Sequence, residues 1–208
     1  MAADTPDRPT LRERKKTKTR AAIRKATYRL AAEEGWDAAT TDRIAAAAEV
    51  SPSTVVRYFP VREDIVLTDE NDALMEARLR ARPAGEEPLE SLRAVVLEAV
   101  RTALDREPEE TRLRARLMVE VPSVRARLTE TTAETGRRLA RALADRSGRD
   151  ADDLEVRIFT AAALGALREA TVYWAERGWT DDLIPLLDRT LDTLRNGLAP
   201  RTRPRARP

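Results

Sequence analysis

The sequence contains no cysteine and no histidine. Their absence removes disulfides, thiol nucleophiles, Ser–His–Asp relays and the common Cys/His zinc sites. A carboxylate-only magnesium or calcium site remains open, though no Asp/Asn/Gly loop suggests one. Glycine is scarce, at 7 residues, and no glycine-rich phosphate loop is present. No apolar run approaches the ~20 residues of a membrane span. The N-terminus carries no apolar leader, so a cytoplasmic location is expected. β-branched runs are few and strict apolar/polar alternation is missing, which argues against strands. No metal or organic cofactor is expected, and general acid–base chemistry among the plentiful Asp, Glu and Arg is the one enzymatic route left open.

What is present is helix-forming: Ala, Leu, Arg and Glu dominate, and 42% of the 208 residues are hydrophobic. That suffices for one small domain with a helical body, or for a single larger domain. The net charge of +2 hides an uneven spread. Ten basic residues lie between Arg8 and Arg29, namely Arg8, Arg12, Arg14, Lys15, Lys16, Lys18, Arg20, Arg24, Lys25 and Arg29, against one acid, Glu13. Arg201, Arg203, Arg205 and Arg207 follow in the last eight residues. A basic run is either a solvated face or an electrostatic footprint for phosphate, and its neighbours decide which.

Residues 1–10 read as a disordered polar arm. A first helix spans Leu11 to Glu34, closed by Gly35, with Trp36 packing back. A second helix opens at Thr41, a short third follows Ser51, and a fourth runs from near Arg62 to Pro83. Beyond the connection Arg82–Pro88, five further helical segments are expected at 88–106, 109–119, 122–146, 151–177 and 180–198. Pro88, Pro108 and Pro122 suit first helical positions, and Gly148 and Gly178 suit helix ends. The last segment aligns Leu183, Leu187, Leu191, Leu194 and Leu198 on one stripe. The Arg/Pro-rich tail, 200–208, reads as unfolded.

The informative stretch is Thr40 to Phe59. A short helix, a tight turn and a second short helix form the helix-turn-helix pattern. Ile44 and Ala47 face inward, Val50 plugs the turn, and Val55 and Phe59 sit four apart on the inner face of the second helix. Ser51 can cap that helix and Pro52 can start it. Its outward face is then Pro52, Ser53, Thr54, Val56, Arg57 and Tyr58. Arg57 can pair with guanine edges, Thr54 can donate to phosphate or base, Val56 can pack on a thymine methyl, and Tyr58 can reach phosphate. Thr41 stands at a helix start suited to phosphate. Arg62 could clamp the backbone from the other side, and Lys15, Lys16 and Lys18 supply the basic flank.

Residues from about Arg14 to Leu67 resemble the DNA-binding domain of the TetR (tetracycline-repressor-like) family. The resemblance rests on Thr40-Thr41-Asp42-Arg43-Ile44-Ala45, on Val50-Ser51-Pro52-Ser53-Thr54, and on Arg57-Tyr58-Phe59-Pro60 followed by Arg62-Glu63-Asp64-Ile65. It implies DNA-contacting positions at Thr41, Thr54, Arg57, Tyr58 and Arg62. The family often carries an aromatic where this chain has Val56, so no tyrosine hydroxyl reaches phosphate from that position. The C-terminal body resembles family members of the mycofactocin-regulator type at Met118-Val119-Glu120-Val121-Pro122-Ser123, at Arg146 to Gly148, and from Ala162 to Trp174. That second resemblance implies sensing of acyl-thioester-like molecules.

The resulting expectation is an all-α protein. A three-helix helix-turn-helix domain, 11–67, is joined by a long helix to a ligand-binding and dimerisation domain, 68–199. The family resemblance implies a homodimer through the last two long helices. Small residues at Ala161, Ala162, Ala163, Gly165 and Ala166, beside the Leu stripe of 183–198, agree with close helix approach there. The partners expected are a pseudo-palindromic DNA operator and an apolar or anionic small-molecule effector held by residues 88–178, whose binding releases a repressor. A regulator without a ligand, a helical-bundle enzyme and a protein-only adaptor are the alternatives.

Overall fold

The structure, a computed structural model, describes residues 10–68 and 71–198. Both the polar arm before Thr10 and the basic tail from 200 onward lie outside the described residues. In chain order the helices are α1 (Leu11–Glu34), a 3-10 turn (Trp36–Ala38), α2 (Thr41–Ala47), α3 (Pro52–Tyr58), α4 (Asp64–Leu67), α5 (Asn71–Arg80), α6 (Pro88–Arg106), α7 (Pro108–Glu120), α8 (Pro122–Ser147), α9 (Leu154–Glu176) and α10 (Leu183–Asn196). Among the described residues there is no strand, and the all-α expectation holds.

The first three α-helices each have a chemical start signal, Thr40 capping α2. Thr10 and Glu13 form a reciprocal capping box at α1, the Thr10 N–H donating to Glu13 Oε2 at 2.7 Å. Those Thr10 hydrogen bonds hold the Glu13 carboxyl below its ordinary range. The one acid in the basic run is thus a cap. Ser51 Oγ accepts from the Thr54 N–H at 3.2 Å, and Pro52 takes the first position of α3.

The chain divides into two compact units. The first comprises the chain up to Glu70 together with Glu109–Leu128, so it is discontinuous in sequence. One core cluster joins Ile23 and Leu30 of α1, Ile44 and Ala45 of α2, Val55 and Phe59 around α3, and Ile65 of α4. A second joins Tyr28, Ala31, Trp36 and Val66 to Leu117 of α7 and Val124 of α8. The distant segment is apolar on the face it turns to Val66, which is why it belongs here.

The single helix expected from Arg62 to Pro83 is two helices. α4 stops after one turn because Thr68 is extended (φ −93°, ψ 134°). The carbonyls that a continuing helix would have used are taken by arginines. Arg24 donates to Ile65 O at 3.3 Å and Thr68 O at 2.7 Å, and Arg114 to Val66 O at 2.9 Å.

The second unit holds α5, α6, α9, α10 and α8 from Thr129 onward. Leu79, Val95, Ala142 and Leu143 form one cluster, and Leu92, Val96 and Ala163 another. Arg146 donates to Leu79 O and Pro83 O, both at 2.9 Å, closing the end of α5. The Leu stripe of α10 lies inside this unit: Leu183, Leu187 and Leu191 are buried, packed among α6 and α9. Ion pairs hold it there, Arg93 to Asp188 and Asp192, and Arg195 to Glu87 and Glu90. Within one chain this stripe is thus largely covered, while Leu198 at its end is 93% exposed. The outward apolar face belongs to α9, where Leu154, Ile158, Ala161, Ala162, Gly165 and Tyr173 recur at helical spacing, with Leu154 67% and Ile158 58% exposed.

Candidate nucleic-acid interface

α3 is short, and its placement comes from its neighbours. Val55 (2% exposed) and Phe59 (3%) are buried with Ile44 and Ile23. Val50 and Ala47 pack against that cluster from the turn, as their spacing implied, and Ala45 proves a deeper core position than Ala47. Between the two helices Glu49 adopts a left-handed conformation, φ 56°. That geometry usually falls to glycine, and a side chain there costs about 1 kcal/mol. Its amide meets Ala46 O at 3.3 Å and lets the Val50 N–H reach Ala45 O at 3.0 Å, which sharpens the turn.

With its inner face occupied, α3 turns Pro52, Ser53, Val56 and Arg57 to solvent, while Thr54 and Tyr58 are half-buried. Val56 is 49% exposed. Ser51, Ser53 and Thr54 form a hydroxyl cluster, Ser51 Oγ lying 2.9 Å from both Ser53 Oγ and Thr54 Oγ1. The Arg57 guanidinium rests 5.3 Å from the Tyr58 ring centroid, an exposed stacking contact that leaves the fork accessible. Thr41 is half-buried at the first turn of α2, next to the Thr40 cap. α2 is pinned to the end of α1 by Arg43, which donates to Glu34 Oε2 at 2.9 Å and Ala38 O at 3.3 Å.

The basic residues divide into two groups. Lys15, Lys16 and Lys18 are fully exposed on the first two turns of α1. Lys15 and Lys18 share a face, while Lys16 lies one turn before Arg20. Arg20 and Arg24, read from the sequence as part of the same footprint, are half-buried braces. Arg20 lies 4.5 Å from the Phe59 ring centroid and donates to Tyr58 O at 3.4 Å, tying α1 to the end of α3. The signal was available in the sequence: positions 20 and 24 fall on the stripe of Ile23 and Thr27. Arg62 also has structural partners. Its guanidinium sits 4.4 Å from the Trp36 ring centroid and donates to Ala39 O at 3.3 Å.

A small helical unit with an exposed Thr/Arg/Tyr helix face, a fixed turn and a lysine flank defines a helix-turn-helix DNA-binding module. Residues 23–68 match the bacterial regulatory proteins of the tetR family, and residues 86–199 match the MftR C-terminal domain. The chain belongs to the TetR family of bacterial transcriptional regulators and is a DNA-binding regulator of transcription. It is 32% identical over 201 residues to the HTH-type transcriptional regulator TcmR of Streptomyces glaucescens, across 92% of this chain and 89% of that protein. Among solved structures it is similar to Thermus thermophilus FadR, a repressor in complex with lauroyl-CoA (25% identity, TM-score 0.57, 91% of this chain and 100% of that one). It also shares its fold with SmeT, the repressor of the Stenotrophomonas maltophilia multidrug efflux pump SmeDEF (19% identity, TM-score 0.55, 92% and 100%).

Proposed function

We propose that the protein is a homodimeric repressor that holds a pseudo-palindromic operator through α3 and is released by a small-molecule effector. The observation that carries the reading is the division of labour on α3: Val55 and Phe59 are used in the core, leaving Ser53, Val56 and Arg57 exposed. Pro52, Ser53, Thr54, Val56, Arg57 and Tyr58 read base edges and phosphate, Thr41 meets the backbone, and Lys15, Lys16 and Lys18 meet phosphate beside it. Arg62 serves chiefly to brace the turn through Trp36, and reaches phosphate only by giving up that contact.

Dimerisation uses the outward face of α9, where Gly165, Ala161 and Ala162 allow close approach and Leu154, Ile158 and Tyr173 supply buried area. Two-fold symmetry then makes the operator two-fold. The working boundaries are a DNA-binding part within 11–67 and an effector and dimer part within 68–199. Acting on the chromosome, the protein works in the cytoplasm. Among the described residues no helix is long and apolar enough to cross a membrane.

The effector is apolar or anionic and lies among residues 88–178. The interior of the second unit supports this, since Met75, Val100, Leu139, Phe159 and Leu167 remain only partly buried around Leu92, Val96 and Ala163. The lauroyl-CoA held by the Thermus thermophilus relative supports an acyl thioester as the class to test first. With Thr68 extended, the stretch 62–83 is not one lever. α8, unbroken from Pro122 to Ser147, contributes several turns to each unit. Such an effector must bind the DNA-free state more tightly, since equal affinity shifts nothing.

The test is selection of duplexes from a random pool by the full-length protein, followed by footprinting and then titration with lauroyl-CoA and a panel of apolar metabolites. A dyad-symmetric footprint and release by one compound class are expected. A footprint without a dyad, or DNA retained against every compound in the panel, would overturn the corresponding part of the reading.

A further inference from the structure

We propose that Arg127, on the first turns of α8, is a positioning residue for DNA recognition. It acts by gripping Asp64, the first residue of α4, and through α4 it sets α3. The inference rests on the reading of α3 as the recognition helix.

Asp64 is 9% exposed, and its carboxylate accepts from Arg127 Nε at 2.8 Å and Arg127 Nη2 at 3.0 Å. This is a two-pronged pairing, one donor to each carboxylate oxygen, that fixes orientation as well as distance. A carboxylate this buried is costly without such a partner. Residues 64 and 127 are both in the first unit, although 63 positions separate them.

α4 is the element on which this grip acts, and it cannot hold itself. A helix of one turn has almost no intrinsic stability, so its position is decided by what its side chains and carbonyls meet. Its two core residues point to different clusters. Ile65 packs with Val55 and Phe59, the residues that seat α3, and Val66 packs with Leu117 and Val124 of α7 and α8. Its carbonyls are bridged the same way, Ile65 O by Arg24 of α1 and Val66 O by Arg114 of α7. α4 is therefore a wedge between the recognition helix and the segment 109–128. Arg127 is the charged contact that determines where the wedge stands. Neither Arg127 nor Asp64 needs to touch DNA for the fit of α3 to a base sequence to depend on their pairing.

The experiment uses full-length protein, a duplex selected from random sequence by the wild type, and an unrelated duplex of equal length. In Arg127→Gln, affinity for the selected duplex falls about two- to thirty-fold, the range seen for coupled residues remote from a ligand. Affinity for the unrelated duplex and the slope of log K against log salt stay as in the wild type, because the same phosphates are still neutralised. Arg127→Lys recovers part of the loss. Asp64→Asn reproduces the loss, and the double variant Asp64→Asn/Arg127→Gln adds little to either single change.

Arg57→Ala on the same selected duplex separates the two claims. An unaffected Arg57→Ala defeats the reading of α3, whereas a weakened Arg57→Ala beside a folded Arg127→Gln of wild-type affinity defeats this inference alone. A lower melting temperature with unchanged preference between the two duplexes also overturns it, as does an equal loss on both duplexes with a shallower salt slope. If the single variants fail to fold because one charge is stranded, the double variant carries the test: wild-type affinity and preference there overturn the proposal.

Discussion

Arg57 and Arg62 stand five positions apart with opposite commitments. Arg57 is exposed, its guanidinium resting against its neighbour Tyr58, while Arg62 is held by Trp36 and Ala39 O. Arg57→Ala is expected to leave the fold intact and to cost about 1–3 kcal/mol of operator binding, with relaxed preference at one base position. Thr54→Ala should weaken binding as well. Quantitative binding to a panel of single-base operator variants checks both, and equal affinity across the panel for wild type and Arg57→Ala would remove the base contact. Arg62→Ala should instead lower unfolding stability by about 1–2 kcal/mol, because the ring stacking and the carbonyl hydrogen bond both go with the guanidinium. A denaturant titration measures that effect, and unchanged stability would mean that the Trp36 contact is idle.

At the scale of elements, α1 does two jobs along its length. From Ile23 onward it is core, while its first two turns carry Lys15, Lys16 and Lys18 in full exposure. Deleting residues 1–18 should therefore weaken DNA binding and reduce the magnitude of the log–log salt slope by roughly 0.9 for each phosphate that the segment neutralises. A slope identical to that of the intact protein would leave this segment a solubilising helix.

The connection between α5 and α6 is an element of another kind, held by charge. Glu86 accepts from Arg82 Nε at 2.8 Å and from Ser91 Oγ at 2.7 Å, and these hydrogen bonds hold its carboxyl down at about 2, against an ordinary 4.5. A carboxyl whose folded value is depressed stabilises the fold above its unfolded value and loses that contribution as pH falls through the folded one. Wild type should thus melt above Glu86→Gln near pH 7, with the gap closing between about pH 4.5 and about pH 2. Parallel thermal melts across that window check it; a gap independent of pH would assign the effect to shape rather than charge.

For the molecule as a whole, the proposed dimer rests on which surface is left to pair two chains. Within one chain α10 has its leucines covered by α6 and α9, whereas α9 leaves Leu154 and Ile158 bare. Ile158→Glu should raise the dimer dissociation constant about thirty-fold or more, as removal of a central anchor does. Light scattering at micromolar concentration would show monomer. Half-site binding should survive while cooperative binding to the full operator disappears. A dimer unaffected by Ile158→Glu would place the pairing surface elsewhere.

The sequence alone determined the helical class, most helix boundaries and the constellation from Thr40 to Phe59. These depend on local chemistry: the Ser51 cap, Pro52 at a helix start, and an apolar spacing that one short segment carries whole. Three things were decided only by the tertiary structure. The reading 62–83 as one helix failed at Thr68 because its preceding carbonyls are taken by Arg24 and Arg114, residues more than forty positions away on either side. Arg20 and Arg24 ceased to be surface charge because Phe59 and the α4 carbonyls lie beneath them. The leucines of α10 turned inward because α6 and α9 offered them both an apolar face and, in Arg93, an ion pair at its edge. Periodicity shows that a helix has an apolar stripe. Which partner covers that stripe, and whether a charge faces water or a carbonyl, is settled by segments brought together from far apart in the chain.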